Sequence, residues 1–186
     1  MKKYLILLFL LQITPCTFSQ NSSPNDSLIE WTCDRKLIWE DFQGEPEEDP
    51  INKIAVTQCI VKITDIYWIK NNIPTYKLKC YFSKNKSWTI VQDNETLKHE
   101  QVHFDIWELV ARKIRKAFLQ LNDLLESDTK VYEEKYYELI KYGNEFQNQY
   151  DSESYFNDKN QNEWEIKVTK ELKSLDNYRF VSKNEQ

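Results

Sequence analysis

Glycine is nearly absent from this sequence, with 2 among 186 residues, and proline is scarce, with 5. A P-loop or a dinucleotide-binding fingerprint needs several glycines at fixed spacing, and neither pattern occurs. No basic patch interleaves with aromatic residues, and the pI of about 5.2 argues against a nucleic-acid surface. These shortages exclude a glycine-rich phosphate site and nucleic acid as a partner.

Long apolar runs are equally scarce. The one run, residues 4–13, follows Lys2 and Lys3 and is short for a bilayer span. This predicts a signal peptide over residues 1–19, cleaved after Ser19, and a secreted or periplasmic protein with no membrane span in the mature chain. An uncleaved anchor is the alternative. A lipoprotein box ending at Cys16 is disfavoured by the proline directly before it.

Cysteines are few and lack the C-x-x-C spacing of a cysteine-rich zinc site. Export would place Cys33, Cys59 and Cys80 in an oxidising compartment, and an odd number leaves at least one thiol unpaired or bound to another chain. Two outcomes stay open: a bridge between Cys59 and Cys80 on successive strands, or three buried free cysteines.

Histidine occurs twice, and both copies stand in one motif, His-Glu-Gln-Val-His over residues 99–103. Residues four apart lie one turn apart on one face of a helix. His99 and His103 at that spacing can bind one Zn²⁺ at about 2.0–2.1 Å each. Glu100 is the next residue after His99 along the helix, and its side chain is within reach of a water held by the metal. The pattern is typical of zinc metallopeptidases in which the glutamate is the general base.

An apolar stripe predicts the helix that this motif needs. Asp93 or Asn94 can cap its start, Glu95 suits the first turn, and the helix should run to about residue 126. Residues at helical spacing continue the line of the histidines toward the core: His99, His103, Ile106, Val110, Ile114, Ala117, Leu121 and Leu124. The alternative is a hydrogen-bonded histidine pair without metal.

The remaining patterns predict an α+β fold in a single zincin-like domain over residues 20–186: a small antiparallel sheet, then the metal helix and two further helices. The lead-in at 20–29 should be loose and the C-terminal tail frayed. Strands are expected at 37–44, 53–69, 75–82 and 87–91. Helices are expected at about 130–150 and 160–175, with a turn-rich break at 151–160.

The order of these motifs resembles a bacterial secreted family, number 922 in the series of domains of unknown function, described as zinc-dependent proteases. The likeness rests on Leu-Ile-Trp-Glu-Asp-Phe-Gln-Gly-Glu-Pro at 37–46, Ala-Val-Thr at 55–57, Ser-Trp at 87–88, His-Glu-Gln-Val-His-Phe-Asp-Ile at 99–106, and Arg112. It covers roughly residues 30–170. The resemblance implies secretion, one zinc ion and hydrolysis of peptide bonds. In a downstream block that resembles residues 150–164, the family has a histidine where this chain has Phe156.

A catalytic zinc ion usually keeps three protein ligands and a water. Without a third histidine, an oxygen ligand is needed, and Asp151 and Glu153 are the candidates. The second helix should return antiparallel to the first, because both are long enough to bring residues 150–153 back beside the histidines. Asp105 and Glu108 are turned away from the pair, and Asp105 is expected to anchor a neighbouring segment instead.

Three functions follow from these residues. The first is a secreted zinc metallopeptidase acting on a peptide or protein substrate, with His99 and His103 as ligands and Glu100 as base. The second is a degenerate, non-hydrolytic metal-binding or envelope interaction protein, suggested by Phe156. The third is a structural envelope protein whose histidines only pack. The oligomeric state does not follow from these motifs.

Overall fold

The computed structural model describes residues 27–48, 53–154 and 157–181. Within these ranges, five strands and three α-helices follow one another: β1 (Leu28–Glu30), β2 (Ala55–Val56), β3 (Cys59–Ile69), β4 (Ile73–Ser83), β5 (Trp88–Thr89), α1 (Asn94–Asp123), α2 (Thr129–Ser154) and α3 (Asp158–Ser174). The α+β prediction is confirmed. The expected signal peptide, Cys16 and Phe156 lie outside the described residues.

The sheet is smaller and differently paired than the sequence predicts. Three antiparallel strands have the order β1-β4-β3, and β2 pairs with β5 in a separate two-stranded ribbon. The expected strand at 53–69 is therefore two strands in two sheets, broken at Gln58, whose backbone N–H is taken by the Ser87 hydroxyl at 2.9 Å. Strand β1 overlaps the end of the segment 20–29, for which the sequence predicts a loose lead-in, but it forms an edge of the larger sheet.

The segment at 37–44 is not a strand. A short 3-10 turn spans Trp39–Asp41. The Asp41 carboxylate closes it by accepting the Ile38 backbone N–H at 2.9 Å, and Arg35 pairs with the same carboxylate at 2.6 Å. Side-chain bonds of this kind offer the backbone an alternative to a strand ladder. The Leu37 backbone N–H donates to Gln101 at 2.8 Å, so this segment is fastened to α1.

Helix α1 is the centre of the fold. Its start is capped as expected, because the Asp93 side chain accepts the Thr96 backbone N–H at 2.8 Å. Two clusters of buried side chains flank it. Against the sheet lie Val61, Leu78, Cys80, Phe82, Phe104, Val110, Ile114 and Phe118. Against α2 and α3 lie Val102, Ile106, Leu109, Phe146, Tyr150, Trp164, Val168 and Leu172.

The three described cysteines are free thiols, so the predicted alternative of a Cys59–Cys80 bridge is not observed. Cys59 and Cys80 are buried and unbridged, and Cys33 is exposed, so only two of the three are core residues. Cys59 stands opposite Phe82 and Cys80 opposite Val61, which places the two thiols diagonally across β3 and β4. Burial raises the pKa of both thiols well above the ordinary value.

Helix α2 returns antiparallel to α1, as predicted. At one end the Asn122 amide lies 3.3 Å from the Tyr132 hydroxyl, and at the other the Tyr150 hydroxyl donates to the His99 carbonyl at 3.3 Å.

Gly143 permits a close approach between the two helices. A Cβ at this position would lie 2.9 Å from Val110 Cγ2 and 3.0 Å from Trp107 Cζ3.

Gly143→Ala should lower the free energy of unfolding by about 1 kcal/mol. Overpacking a buried contact costs about 1–3 kcal/mol, which exceeds the gain of about 1 kcal/mol in helix propensity. Chemical denaturation measures the difference. In a Val110→Ala background, where the contact with Trp107 at 3.0 Å is left and the Val110 methyl is gone, the same change should cost clearly less. Equal effects in both backgrounds would contradict the close approach.

Candidate metal centre

Two imidazoles project from the first third of α1 into the space beneath α2. His99 and His103 are mostly buried, with side-chain exposures of 16% and 13%. Their Nε2 atoms lie 3.0 Å apart, and the rings meet edge to face. Because four residues make slightly more than one helical turn, the side chains stand one above the other, and both nitrogens can face the same point.

The third group comes from the last turn of α2. Asp151 Oδ1 lies 3.1 Å from His99 Nε2 and 2.8 Å from His103 Nε2. This carboxylate is half exposed, so it borders the centre on its solvent side. Three atoms from two antiparallel helices, two nitrogens and one oxygen, therefore meet within about 3 Å of one another.

The three atoms fit a small tetrahedral metal ion. Ligands of tetrahedral zinc at about 2.0–2.1 Å lie about 3.3 Å from one another. The observed separations of 2.8–3.1 Å are slightly shorter, so an ion would need the three groups to spread by only a few tenths of an ångström. Two imidazole nitrogens and a carboxylate oxygen are a donor set that suits zinc.

Glu100 lies beside this trio. Its carboxylate comes within 4.8 Å of the ligand atoms of both His99 and His103, and these three residues form a group that can hold a metal ion. The side chain is buried, and its Oε2 atom has no hydrogen-bond partner among the described residues. A buried carboxylate oxygen without a partner is costly unless something occupies the space before it.

Gln147 orients His103. Its Oε1 accepts the Nδ1 hydrogen of His103, and its Nε2 donates to the His103 carbonyl at 2.9 Å. The bond at Nδ1 leaves Nε2 as the atom that faces His99 and Asp151. A histidine that binds metal usually donates its other ring N–H to a fixed acceptor in this way.

Tyr150 forms the inner wall of the centre. Its ring stacks on His99 at a centroid distance of 4.5 Å and meets His103 edge to face at 5.0 Å. Burial raises the pKa of the Tyr150 hydroxyl, and the charges of Glu100 and Asp151 raise it further against a hydrogen bond to Ser154. The hydroxyl therefore stays protonated and serves as a donor to the His99 carbonyl.

Electrostatics couple the ligand groups. Burial acts to lower the pKa of His103, but the hydrogen bond to Asp151 and the charges of Glu100 and Asp151 outweigh it and raise the pKa to about 9. Burial acts to raise the pKa of Asp151, and hydrogen bonds from His103 and His99 more than offset it, so the pKa of Asp151 falls below its usual value. In the metal-free protein, His103 is therefore protonated at neutral pH and forms an ion pair with the Asp151 carboxylate.

The metal-free protein should lose stability as the pH rises from about 6.5 to about 9. The raised pKa of His103 stabilises the fold fully below the pKa of about 6.5 in the unfolded chain. That contribution disappears as the proton leaves near pH 9. The shift corresponds to at most about 3 kcal/mol, and we expect about 2 because Asp151 is half exposed and screened by solvent.

Urea denaturation in the presence of a chelator, repeated across this pH range, measures that loss. Asp151→Asn is the matched control, because it keeps the shape of the side chain and removes one of the two charges that raise the pKa of His103. The pH dependence should flatten in this variant. An equally steep decline in Asp151→Asn would show that another group is responsible.

The centre opens into a cleft of about 870 Å³. Residues 53–59, which include β2, form one side, and residues of α1, α2 and the start of α3 form the other. His99, Glu100, His103 and Asp151 all border this space. A cleft of this size can hold a ligand that reaches the centre from solvent.

The structure separates the two candidate oxygen ligands. Asp151 lies against both histidines, whereas the Glu153 carboxylate accepts hydrogen bonds from Gln149 at 2.8 Å and from Trp164 Nε1 at 2.9 Å. Glu153 therefore fastens α2 to α3 and lies away from the centre. The predicted break at 151–160 is also corrected, because α2 continues to Ser154 and α3 begins at Asp158.

The two acidic residues expected to point away do so. Asp105 Oδ1 accepts from Trp31 Nε1 at 2.7 Å and from Gln101 Nε2 at 2.9 Å, which anchors the segment after β1, as predicted. Glu108 is buried in an ion pair with Arg112 at 2.9 Å.

Gln147 and Tyr150 were missed as residues of the centre. Neither belongs to a metal-binding motif, and a glutamine or tyrosine on a helix usually has a packing or solvent-facing role. Helical spacing is the signal that could have identified them. Once α2 extends past residue 150, one face of the helix carries residues 143, 147, 150, 151 and 154, so Gln147 and Tyr150 share the face of Asp151.

Comparisons with protein-family models, with curated proteins and with solved structures gave no match to this chain.

Proposed function

We propose that this protein is a zinc-dependent metallopeptidase. The observation that carries the proposal is the meeting of His99 Nε2, His103 Nε2 and Asp151 Oδ1 beside the buried, unpartnered carboxylate of Glu100 on the wall of an open cleft. His99, His103 and Asp151 would hold the ion. When bound, zinc supplies Lewis-acid polarisation of a substrate carbonyl and lowers the pKa of a coordinated water.

Each neighbouring residue of the chain has a role in this proposal. Glu100 is the general base, which accepts a proton from the attacking water and returns it to the leaving amine. Burial keeps Glu100 away from competing solvent, and its free Oε2 is available to receive the proton. Gln147 holds the tautomer of His103, and Tyr150 fixes the plane of His99 by stacking on it.

A peptide suits the cleft as substrate. Strand β2 pairs with β5 along one edge and, among the described residues, with no other strand. It also borders the cleft. A strand with an unpaired edge is a general means of holding an extended peptide through its backbone.

We also propose that the protein is exported and that it belongs to the family that its motifs resemble. The charged and apolar start of the chain supports removal of a signal peptide near Ser19 and a secreted or periplasmic protein. None of the described helices is long and apolar enough to cross a membrane.

Zinc content and hydrolysis together test this function. Purified protein should contain one zinc ion, release it to a chelator, and cleave a denatured protein substrate only after zinc is restored. Zinc without cleavage would favour the non-hydrolytic metal-binding alternative. Absence of zinc, with His103→Ala costing the same stability with and without added metal, would favour histidines that only pack.

Asp151→Ala should weaken zinc binding at least about tenfold, because it removes a ligand, and Gln147→Ala should weaken it by about tenfold, because it releases the orientation of His103. Competition with a chromophoric chelator measures both. Glu153→Ala is the matched control on the same helical turn and should leave zinc affinity unchanged. A loss in Glu153→Ala equal to that in Asp151→Ala would contradict this assignment of the oxygen ligand.

A further inference from the structure

The second half of β3 is an open edge of the sheet. The strand order β1-β4-β3 leaves β3 with β4 as its one strand partner among the described residues. Four consecutive large side chains near its end are exposed: Ile66 by 50%, Tyr67 by 44%, Trp68 by 57% and Ile69 by 45%. Because neighbouring residues of a strand point to opposite faces, both faces of this segment are apolar and open. Monomeric proteins usually protect such an edge.

The first half of β3 is protected and the second is not. The Tyr136 hydroxyl from α2 donates to the Val61 carbonyl at 2.7 Å, so α2 covers the strand there. An irregularity in the pairing with β4 between Ile63 and Asp65 then separates the two halves. From Asp65 to Ile69 the register with β4 is continuous, which leaves a regular strand edge to receive another strand.

The sequence of this open edge is complementary to itself when reversed. Residues 65–70 read Asp-Ile-Tyr-Trp-Ile-Lys. Antiparallel to a second copy, Asp65 stands opposite Lys70, Ile66 opposite Ile69, and Tyr67 opposite Trp68. Opposite charges and aromatic pairs directly across two strands are both stabilising. We propose that this protein forms a two-fold symmetric dimer in which the β3 strands of two copies pair antiparallel over residues 66–69, and Lys70 at the start of the turn lies beside Asp65 of the other copy.

The contacts around Asp65 and the turn fit this pairing. Asp65 already contacts Lys77 of β4 at 3.1 Å, and both side chains are exposed, so the carboxylate can accept a second lysine. In the turn after β3, Asn71 and Asn72 have φ angles of 65° and 56°, in the left-handed region that asparagine tolerates. The tight turn directs β4 back along β3 and leaves the outer edge of β3 unobstructed.

A lipid bilayer is a poorer partner for the same surface. Lys70, Asn71 and Asn72 form the very end of the hairpin, so insertion would submerge these polar groups before the apolar residues behind them. Pairing along the strand edge brings the four apolar side chains of each copy against those of the other copy and leaves Asn71 and Asn72 in water. It also uses the backbone groups of the strand edge, which lipid cannot satisfy.

Sedimentation equilibrium of the purified protein tests the dimer. The protein should show a monomer–dimer equilibrium that depends on concentration, and Trp68→Lys should abolish the dimer. Asp65→Lys and Lys70→Asp should each weaken it about tenfold, because each places two like-charged pairs across the two-fold axis. Lys141→Asp, a charge reversal at an exposed site on α2, is the matched control and should leave the dimer unchanged.

Mixing the two charge-reversal variants gives the sharpest result. A chain with Asp65→Lys and a chain with Lys70→Asp are complementary to each other, so the mixture should form a heterodimer about as tight as the dimer of the unaltered protein. Lys70→Asp leaves the contact between Asp65 and Lys77 in place, which separates the effect on dimerisation from any effect on the hairpin.

A protein that stays monomeric at every concentration would overturn this proposal. So would a dimer that neither Trp68→Lys nor the charge reversals weaken, or a mixture of the two variants that forms no heterodimer. Binding of a monomeric protein to phosphatidylcholine–phosphatidylserine vesicles, lost in Trp68→Lys, would assign the surface to lipid instead. None of these measurements depends on the metal centre.

Discussion

Glu100→Gln should lower peptide hydrolysis by about 10²–10⁴-fold while zinc stays bound. The amide has the shape of the carboxylate but cannot accept the proton of the attacking water. Glu100 is 4% exposed, and its Oε2 atom has no hydrogen-bond partner among the described residues, so this oxygen is free to accept a proton. Measurement of kcat/KM on a denatured protein substrate, together with zinc analysis of the same sample, tests both parts of this result.

Glu95→Gln is the matched control for this experiment. Glu95 also borders the cleft, but it is exposed and pairs with Lys98 at 2.8 Å. The same chemical change there should leave kcat/KM nearly unaltered. If Glu100→Gln also loses the metal, Glu100 is a ligand rather than the base. If Glu100→Gln keeps full activity, the mechanism proposed above is wrong.

Glu108→Ala should destabilise the fold by about 3–5 kcal/mol, the usual cost of leaving buried charges without their partner. Glu108 is 2% exposed, and its carboxylate accepts from Arg112 at 2.9 Å and from Arg115 at 3.1 Å. These arginines also donate to the carbonyls of Leu172 at 2.7 Å and Tyr178 at 2.8 Å. Removal of Glu108 therefore leaves Arg115 without this carboxylate and Arg112 with only the exposed Asp176 at 3.3 Å, and it loosens the chain that follows α3.

Thermal and chemical unfolding measure the effect of Glu108→Ala. Glu145→Ala removes a carboxylate with the same four-residue spacing to a basic partner, Lys141, but this pair lies on the surface of α2 with side chains 68% and 80% exposed. An exposed pair of this kind contributes about 0–1 kcal/mol. Similar losses in the two variants would contradict a structural role for the buried network.

The helices could be predicted because their signals are local. The Asp93 cap and the periodic apolar residues of α1 belong to one continuous stretch, and their effect does not depend on the rest of the chain. The strands were harder. β1 forms because Leu28–Glu30 pairs with β4 more than fifty residues later, and β2 leaves the main sheet for β5. A local propensity cannot show which distant strand will be the partner.

The centre could be predicted in part. The spacing of His99 and His103 defines their common face, and the lengths of α1 and α2 bring residues 150–153 back to it. The choice between Asp151 and Glu153 depends on whether α2 extends beyond Tyr150. On a continuing helix, two residues apart means nearly opposite faces, so only one of these carboxylates can face the histidines. A turn-rich composition at 151–160 concealed that continuation.

The position of Asp151 in the last turn of α2 also bears on how fast a bound ion would exchange with solution. His99 and His103 belong to the well-packed part of a 30-residue helix, but the last turn of a helix opens more readily than its middle. In the proposed metal centre, the half-exposed Asp151 would therefore be the first ligand to dissociate. Asn160 of α3 donates to the Glu153 carbonyl at 2.7 Å and secures this turn. The residence time of an ion in the proposed centre would then depend on this hydrogen bond between α2 and α3, which lies away from the ligand atoms.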